Sequence, residues 1–140
     1  MDRVVDFINV HRDRHVDQLK DYLAIPSISA LPAHAADVRR CADWTAEEMR
    51  RIGLSGVRLE ETDGNPLVYG EWLGAEGAPT ILFYGHYDVQ PVDPLDLWTS
   101  PPFEATVRDG ELYARGSADD KGQVFMHFKA VEAHLKQHGK

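Results

Sequence analysis

Two spacings of apolar residues run along the chain, and the change from one to the other divides it. From about Asp2 to Leu23, the positions Val5, Ile8, Val16, Leu19 and Leu23 follow the helical period around a polar middle, His11-Arg12-Asp13-Arg14-His15. Pro26 ends that helix, and Ser27-Ile28-Ser29 follows as loop. A second helix is predicted from about Asp37 to Ile52. Its Val38, Cys41, Ala42, Thr45, Met49 and Ile52 form one stripe, and Gly53 stands at the C-cap. The period then falls to two. Val57 and Leu59 alternate with Arg58 and Glu60, and Leu67 to Leu73 makes a second strand after the turn Asp63-Gly64-Asn65-Pro66. Thr80 to Tyr84 is a continuous apolar run, the pattern of an interior strand covered on both faces. A proline-rich loop fills 91–102, and Glu104 to Arg108 with Glu111 to Ala114 predicts a hairpin around Asp109-Gly110. Val124, Phe128, Val131 and Leu135 place a last helix from about Lys121 to the chain end.

This element order predicts the α/β class, a layered mixed sheet flanked by helices. A sheet apolar on both faces needs helices on both, and few elements are left to supply them. Residues 1–140 are therefore expected to be the N-terminal portion of a longer domain.

Charge then removes some partners. The net charge is −8 and the pI near 5.2, which argues against nucleic acid, whose phosphates need a cationic surface. No uncharged apolar run approaches the roughly 20 residues of a membrane span, so no membrane role is expected. The charged N-terminus has no signal-peptide core. Cys41, the one cysteine, excludes an intrachain disulfide and fits a reducing, cytoplasmic setting.

Two segments can carry chemistry. Gly85-His86-Tyr87-Asp88-Val89-Gln90-Pro91 follows the apolar run, at the carboxyl end where open α/β sheets bind ligands. In extended backbone His86 and Asp88 point the same way and Tyr87 turns aside. A metal-ligating imidazole needs a partner on its second nitrogen, and Asp88 can supply it. A strand-end His beside a turn Asp is the plainer reading of so short a pattern. The second segment, Ala114-Arg115-Gly116-Ser117-Ala118-Asp119-Asp120-Lys121-Gly122, lies between the hairpin and the last helix. Its two acids have an ordinary explanation as helix caps. Phosphate-loop and calcium-loop spacings are absent. Taken together, one segment offers an imidazole and the other hard oxygen ligands, a mixture that suits zinc and also cobalt or manganese.

The string GHYDVQPVD, then Trp98, Pro102-Phe103 and DGELYARGSADDKG, with PSIS after the first helix, resembles the dinuclear-zinc metallopeptidases. That family includes aminoacylases, carboxypeptidase G, succinyl-diaminopimelate desuccinylase and the cytosolic nonspecific and carnosine dipeptidases. The dipeptidase branch is the most similar. The resemblance implies the N-terminal part of a zinc-peptidase catalytic domain. It makes His86 a ligand of one zinc and Asp119 the carboxylate bridging two. Asp88 becomes the catalytic-site residue that holds His86, and a cis peptide joins Asp119 to Asp120. It implies two zinc ions, with cobalt or manganese able to serve, and hydrolysis of an amide bond in dipeptides or short peptides. The general-base Glu, its neighbouring Glu ligand, a later acid, the last His and the lid domain are expected outside these 140 residues. The fragment alone is then inactive and binds zinc weakly. Alternatives are an N-acyl-amino-acid deacylase, and a non-catalytic fragment or binding module pairing through its unfinished sheet edge. Exposed sheet or apolar surface would also make the chain a homo-oligomer.

Other candidates have simpler explanations. The pairs His11/His15 and His134/His138 are four apart but suit polar helix faces, and no acid makes a HExxH pattern. His34 falls in a loop, and His127 on a helix side. Trp44, Trp72 and Trp98 suit anchoring roles, and Ser117 lacks a base and orienter.

Overall fold

A computed structural model describes residues 2–139. The first predicted helix is two: α1 (Asp2–Val10) and α2 (Arg12–Leu23), broken at His11, whose φ of −103° and ψ of 14° leave the helical region. The polar middle supplies no apolar stripe to carry one straight face across the break. Both halves lie against the last helix. A short 3-10 turn, Pro32–His34, leads into α3 (Ala35–Ile52), which ends as predicted on Gly53 at φ 103°. A left-handed residue there lets the Gly53 N–H reach the Arg50 carbonyl at 3.1 Å, closing an orphan acceptor.

Strands β1 (Ser55–Glu60) and β2 (Leu67–Glu71) pair antiparallel, with Arg58 opposite Tyr69. Strands β3 (Thr106–Arg108) and β4 (Glu111–Tyr113) form the second pair. Asp109 and Gly110 have φ of 52° and 83°, the two left-handed residues that a two-residue hairpin turn requires. Helix α4 (Lys121–His138) closes on Gly139, whose N–H reaches Leu135 O at 2.8 Å. Lys140, to which the sequence carried that helix, lies outside the described residues. No helix among the described residues is long and apolar enough to cross a membrane.

The interior strand expected over 80–84 is not formed. Ile81, Leu82, Phe83 and Tyr84 are 71, 87, 56 and 89 % exposed. A strand exists only through ladder partners, and among the described residues none pairs with this run. The apolar pattern reports the burial the run is suited to, and the strands of 1–140 do not provide it. The class itself holds. Helices and strands are mixed along the chain.

The core lies between α2, α3 and α4. Tyr22, Ile25, Cys41, Ile52, Phe125 and Phe128 form it, with Tyr22 stacked on Trp44 at 4.3 Å between ring centres. The buried side of α4 is turned from the predicted stripe. Lys121, Phe125, Phe128, Lys129 and Glu132 are buried, while Val124, Val131 and Leu135 are only partly so. Spacings of 4, 3 and 4 from Lys121 through Phe125 and Phe128 to Glu132 are equally helical, and ion pairing lets the charged ones stay inside.

Candidate metal centre

The segment after Tyr84 is held from behind by the loop that follows α2. Ser27 is fully buried, and its hydroxyl donates to Tyr87 O at 2.7 Å. Its carbonyl accepts the Val89 N–H at 2.9 Å. Cys41 Sγ–H also donates to Tyr87 O, at 3.3 Å. Tyr87 packs against the core, and its hydroxyl donates to Pro66 O. With Tyr87 and Val89 anchored inward, His86 and Asp88 are left on the outer face, as alternation along extended backbone predicts.

The start of α4 is fastened to the same loop. Lys121 is 0 % exposed, and its ammonium donates to Tyr22 O at 3.1 Å and Ile25 O at 2.7 Å, over the face of the Tyr22 ring. Burial holds this amine below the usual lysine range. Two glycines let the backbones close up. A Cβ on Gly122 would stand 2.0 Å from Ser117 O, and one on Gly85 would meet Val124 at 2.4 Å. A side chain at Gly85 would push the two motifs apart, and one at Gly122 would force open the turn that precedes α4.

The result brings both sequence-predicted ligands together. His86 Nε2 lies 3.1 Å from Asp119 Oδ1. Its Nδ1 faces Asp88 Oδ1 at 3.0 Å and Asp88 O at 3.1 Å. Both are acceptors that suit a proton on Nδ1, and a cation between Nε2 and Asp119 would then take the Nε2 lone pair. Two ligands of one tetrahedral zinc, each about 2 Å from it, stand about 3.3 Å apart. The observed separation therefore fits a shared cation. Burial works against protonation of His86, but the Asp88 carbonyl and carboxylate, with Asp119 and Asp120, hold its pKa above the usual imidazole value. His86 and Asp119 side chains are 41 and 77 % exposed, open to an incoming ion. Among the described residues no group of three or more such side chains surrounds one point. The chain thus presents an open, partial donor set.

Asp120 departs from the capping explanation. Its side chain makes no cap bond; Oδ2 accepts the His86 backbone N–H at 3.1 Å and joins the two motifs directly. The peptide between Asp119 and Asp120 is cis. The roles of Ser27, Ser29 and Lys121 were not foreseen. For Lys121 a signal existed, since it lies four positions before Phe125 on the same helix face. The histidine pairs stay away from the site: His11 stacks on Phe7, and His134 faces His138 on the far end of α4. Trp98 anchors the proline-rich loop, donating to Val92 O at 2.9 Å.

Comparison with known proteins bears on the sequence and the fold. The family described as peptidase family M20/M25/M40 matches residues 82–140. The cysteinylglycine-S-conjugate dipeptidase of Corynebacterium striatum is 36 % identical over 121 residues, 86 % of this chain and 27 % of that protein. The human β-Ala-His dipeptidase is 33 % identical over 146 residues, covering 95 % of this chain and 29 % of its own. The crystal structure of human carnosine dipeptidase 1 superposes with a TM-score of 0.87 at 31 % identity, over 97 % of this chain and 31 % of that one. The chain thus spans under a third of the length of these relatives. A paired His and Asp at ligand spacing, a fold shared with a dipeptidase and a sequence match over residues 82–140 make this chain similar to peptidase family M20/M25/M40.

Proposed function

We propose that this chain forms the first part of the catalytic domain of a divalent-metal dipeptidase, and that His86 and Asp119 are two of its metal ligands. The observation that carries this is the 3.1 Å approach of His86 Nε2 to Asp119 Oδ1, with Asp88 on the opposite ring nitrogen. His86 supplies the lone pair, and Asp88 fixes its tautomer and ring plane by accepting the Nδ1 proton. Asp119 turns one oxygen to His86, and among the described residues none bonds the second, which suits a carboxylate shared between two ions. Asp120 holds the His86 backbone against the start of α4. Two zinc ions, or cobalt or manganese in their place, would supply the Lewis acidity and the lowered water pKa that amide hydrolysis needs near neutral pH.

The substrates in this reading are dipeptides or short peptides with a free carboxylate, in line with the Cys-Gly and β-Ala-His dipeptidases among the relatives. A catalytic zinc takes three protein ligands. His86 and Asp119 fall short of that, so residues 1–140 alone are expected to be inactive and to bind zinc weakly. The exposed run Ile81–Tyr84 supports self-association of the isolated residues, which light scattering would show. A lone, buried, free thiol at Cys41 supports a cytoplasmic setting.

The test is hydrolysis of Cys-Gly and β-Ala-His by the native protein, before and after chelation. Activity is expected to vanish with the metal, to return on adding zinc, and to stay absent in His86→Ala. Turnover of N-acyl amino acids in place of both dipeptides would move the assignment to a deacylase. Activity indifferent to the chelator would end the metal reading.

A further inference from the structure

We propose that Ser29 is a positioning residue for the metal centre, acting on His86 through the Asp88 carboxylate. The inference rests on the metal reading above and assigns a part to a residue outside the two ligand motifs. The two oxygens of Asp88 have separate partners. Oδ1 accepts the His86 Nδ1 proton at 3.0 Å, and Oδ2 accepts the Ser29 hydroxyl at 2.5 Å. The latter is the short end of hydroxyl-to-carboxylate bonds, which are stronger than neutral ones. A line of contacts therefore runs from Ser29 Oγ through Asp88 to His86 Nδ1, and from His86 Nε2 to Asp119.

Asp88 needs such a partner. Its side chain is 35 % exposed, and the terminal torsion of an aspartate is broad. Without a bond on Oδ2, the carboxylate can swing its plane and release the imidazole. Ser29 is itself well placed to resist that. It follows Ile28, which is 3 % exposed, and the fully buried Ser27. Ser27 grips the residues on either side of Asp88, through Tyr87 O and the Val89 N–H. Lys121 donates to Ile25 O on the same loop, so one short stretch of chain locates both Asp88 and the start of α4. The hydroxyl is thus presented by backbone fixed relative to both ligands.

The experiment measures zinc affinity of the native protein by chelator competition for wild type, Ser29→Ala and Ser29→Thr. Urea unfolding of each accompanies it. Ser29→Ala is expected to weaken zinc binding about tenfold, in the range seen for partners of metal-bound histidines. Ser29→Thr keeps the hydroxyl and is expected to stay within about threefold of wild type. Urea midpoints should coincide. A second readout uses zinc-free protein at alkaline pH, where nitrogen NMR of the His86 ring reports its tautomer. Wild type and Ser29→Thr should show the same balance of ring tautomers, and Ser29→Ala a shift away from the Nδ1–H form. Wild-type zinc affinity in Ser29→Ala, or an equal loss in Ser29→Thr, overturns the proposal. A wild type that binds no zinc overturns the metal reading instead, while the ring tautomers still decide whether Ser29 positions His86.

Discussion

Two of the charged clusters in this chain are composed differently. Where α2, α3 and α4 meet, Glu48 and Glu132 face Arg14, Arg51 and Lys129. Lys129 donates to Glu48 and, at 3.1 Å, to Glu132. Arg51 spans both acids with four bonds between 2.7 and 3.1 Å, and Arg14 reaches Glu132 at 3.1 Å. Glu48, Lys129 and Glu132 are 5, 5 and 1 % exposed, and each acid has its cations beside it. At the start of α4, by contrast, Asp88, Asp119 and Asp120 gather around one imidazole, with no arginine or lysine bonded to any of them among the described residues. The first cluster is neutralised from within and fastens helices together. The second has an excess of acceptors and is open to solvent, an arrangement that suits a cation from outside. Charge balance separates a structural network from a binding site more clearly than the number of charges does.

The widest separation of the two clusters should come from deleting Asp119 or His86. In the native protein His86→Ala or Asp119→Ala is expected to weaken zinc binding more than about a hundredfold, beyond the loss of an outer partner. For Asp119→Ala the urea midpoint of the zinc-free protein should not fall, because removing an acid from an acidic cluster relieves repulsion. A drop in metal-free stability would place Asp119 with the structural group. Glu132→Gln should do the reverse. It leaves Lys129 with Glu48 alone and Arg51 with one acid fewer, which costs about 1–3 kcal/mol in urea unfolding, with zinc affinity unchanged.

Acid provides a smaller and graded test of the buried network. Burial alone would raise the Glu132 carboxyl, but Arg51 and Lys129 together hold it at about 2 against an ordinary 4.5. A depressed carboxylate stabilises the fold above its unfolded value, so this contribution is present above pH 4.5 and is lost as pH falls towards 2. Glu132→Gln should flatten the stability profile in that window. His15, which accepts a bond from Arg14 at 2.9 Å, is held at about 4 by burial and by Lys129 and Arg14, against an ordinary 6.5. The unfolded chain then takes up the proton first. Stability should be full above pH 6.5 and decline as pH falls towards 4, and His15→Gln should reduce that slope. A profile equally steep in the variant would mean that other groups carry the dependence.

Much of the local structure was legible along the chain. The α3 stripe, its Gly53 stop, the β1–β2 pair and the Asp109-Gly110 hairpin follow from period and turn chemistry, which act over a few residues. The pairing of His86 with Asp119 across 33 positions was legible only because two long motifs stood in a familiar order. Glu48 and Lys129 gave no comparable signal. On a helix, a charge that will be buried against a partner 81 residues away has the same spacing as one that will face water. Asp120 looked like a cap because acids at helix starts usually are, and its carboxylate went instead to a backbone N–H of another element.

By itself, then, the sequence determined most of the helices and both hairpins, and which residue types could bind a metal, since backbone preference and donor chemistry belong to single residues and near neighbours. The tertiary structure alone decided which polar groups meet. It buried Lys121 under the α2 loop, joined Ser29 to Asp88, and left Ile81–Tyr84 uncovered. Such outcomes depend on what the rest of the fold places alongside each segment, and contact between distant parts of a chain is a property of packing rather than of local pattern.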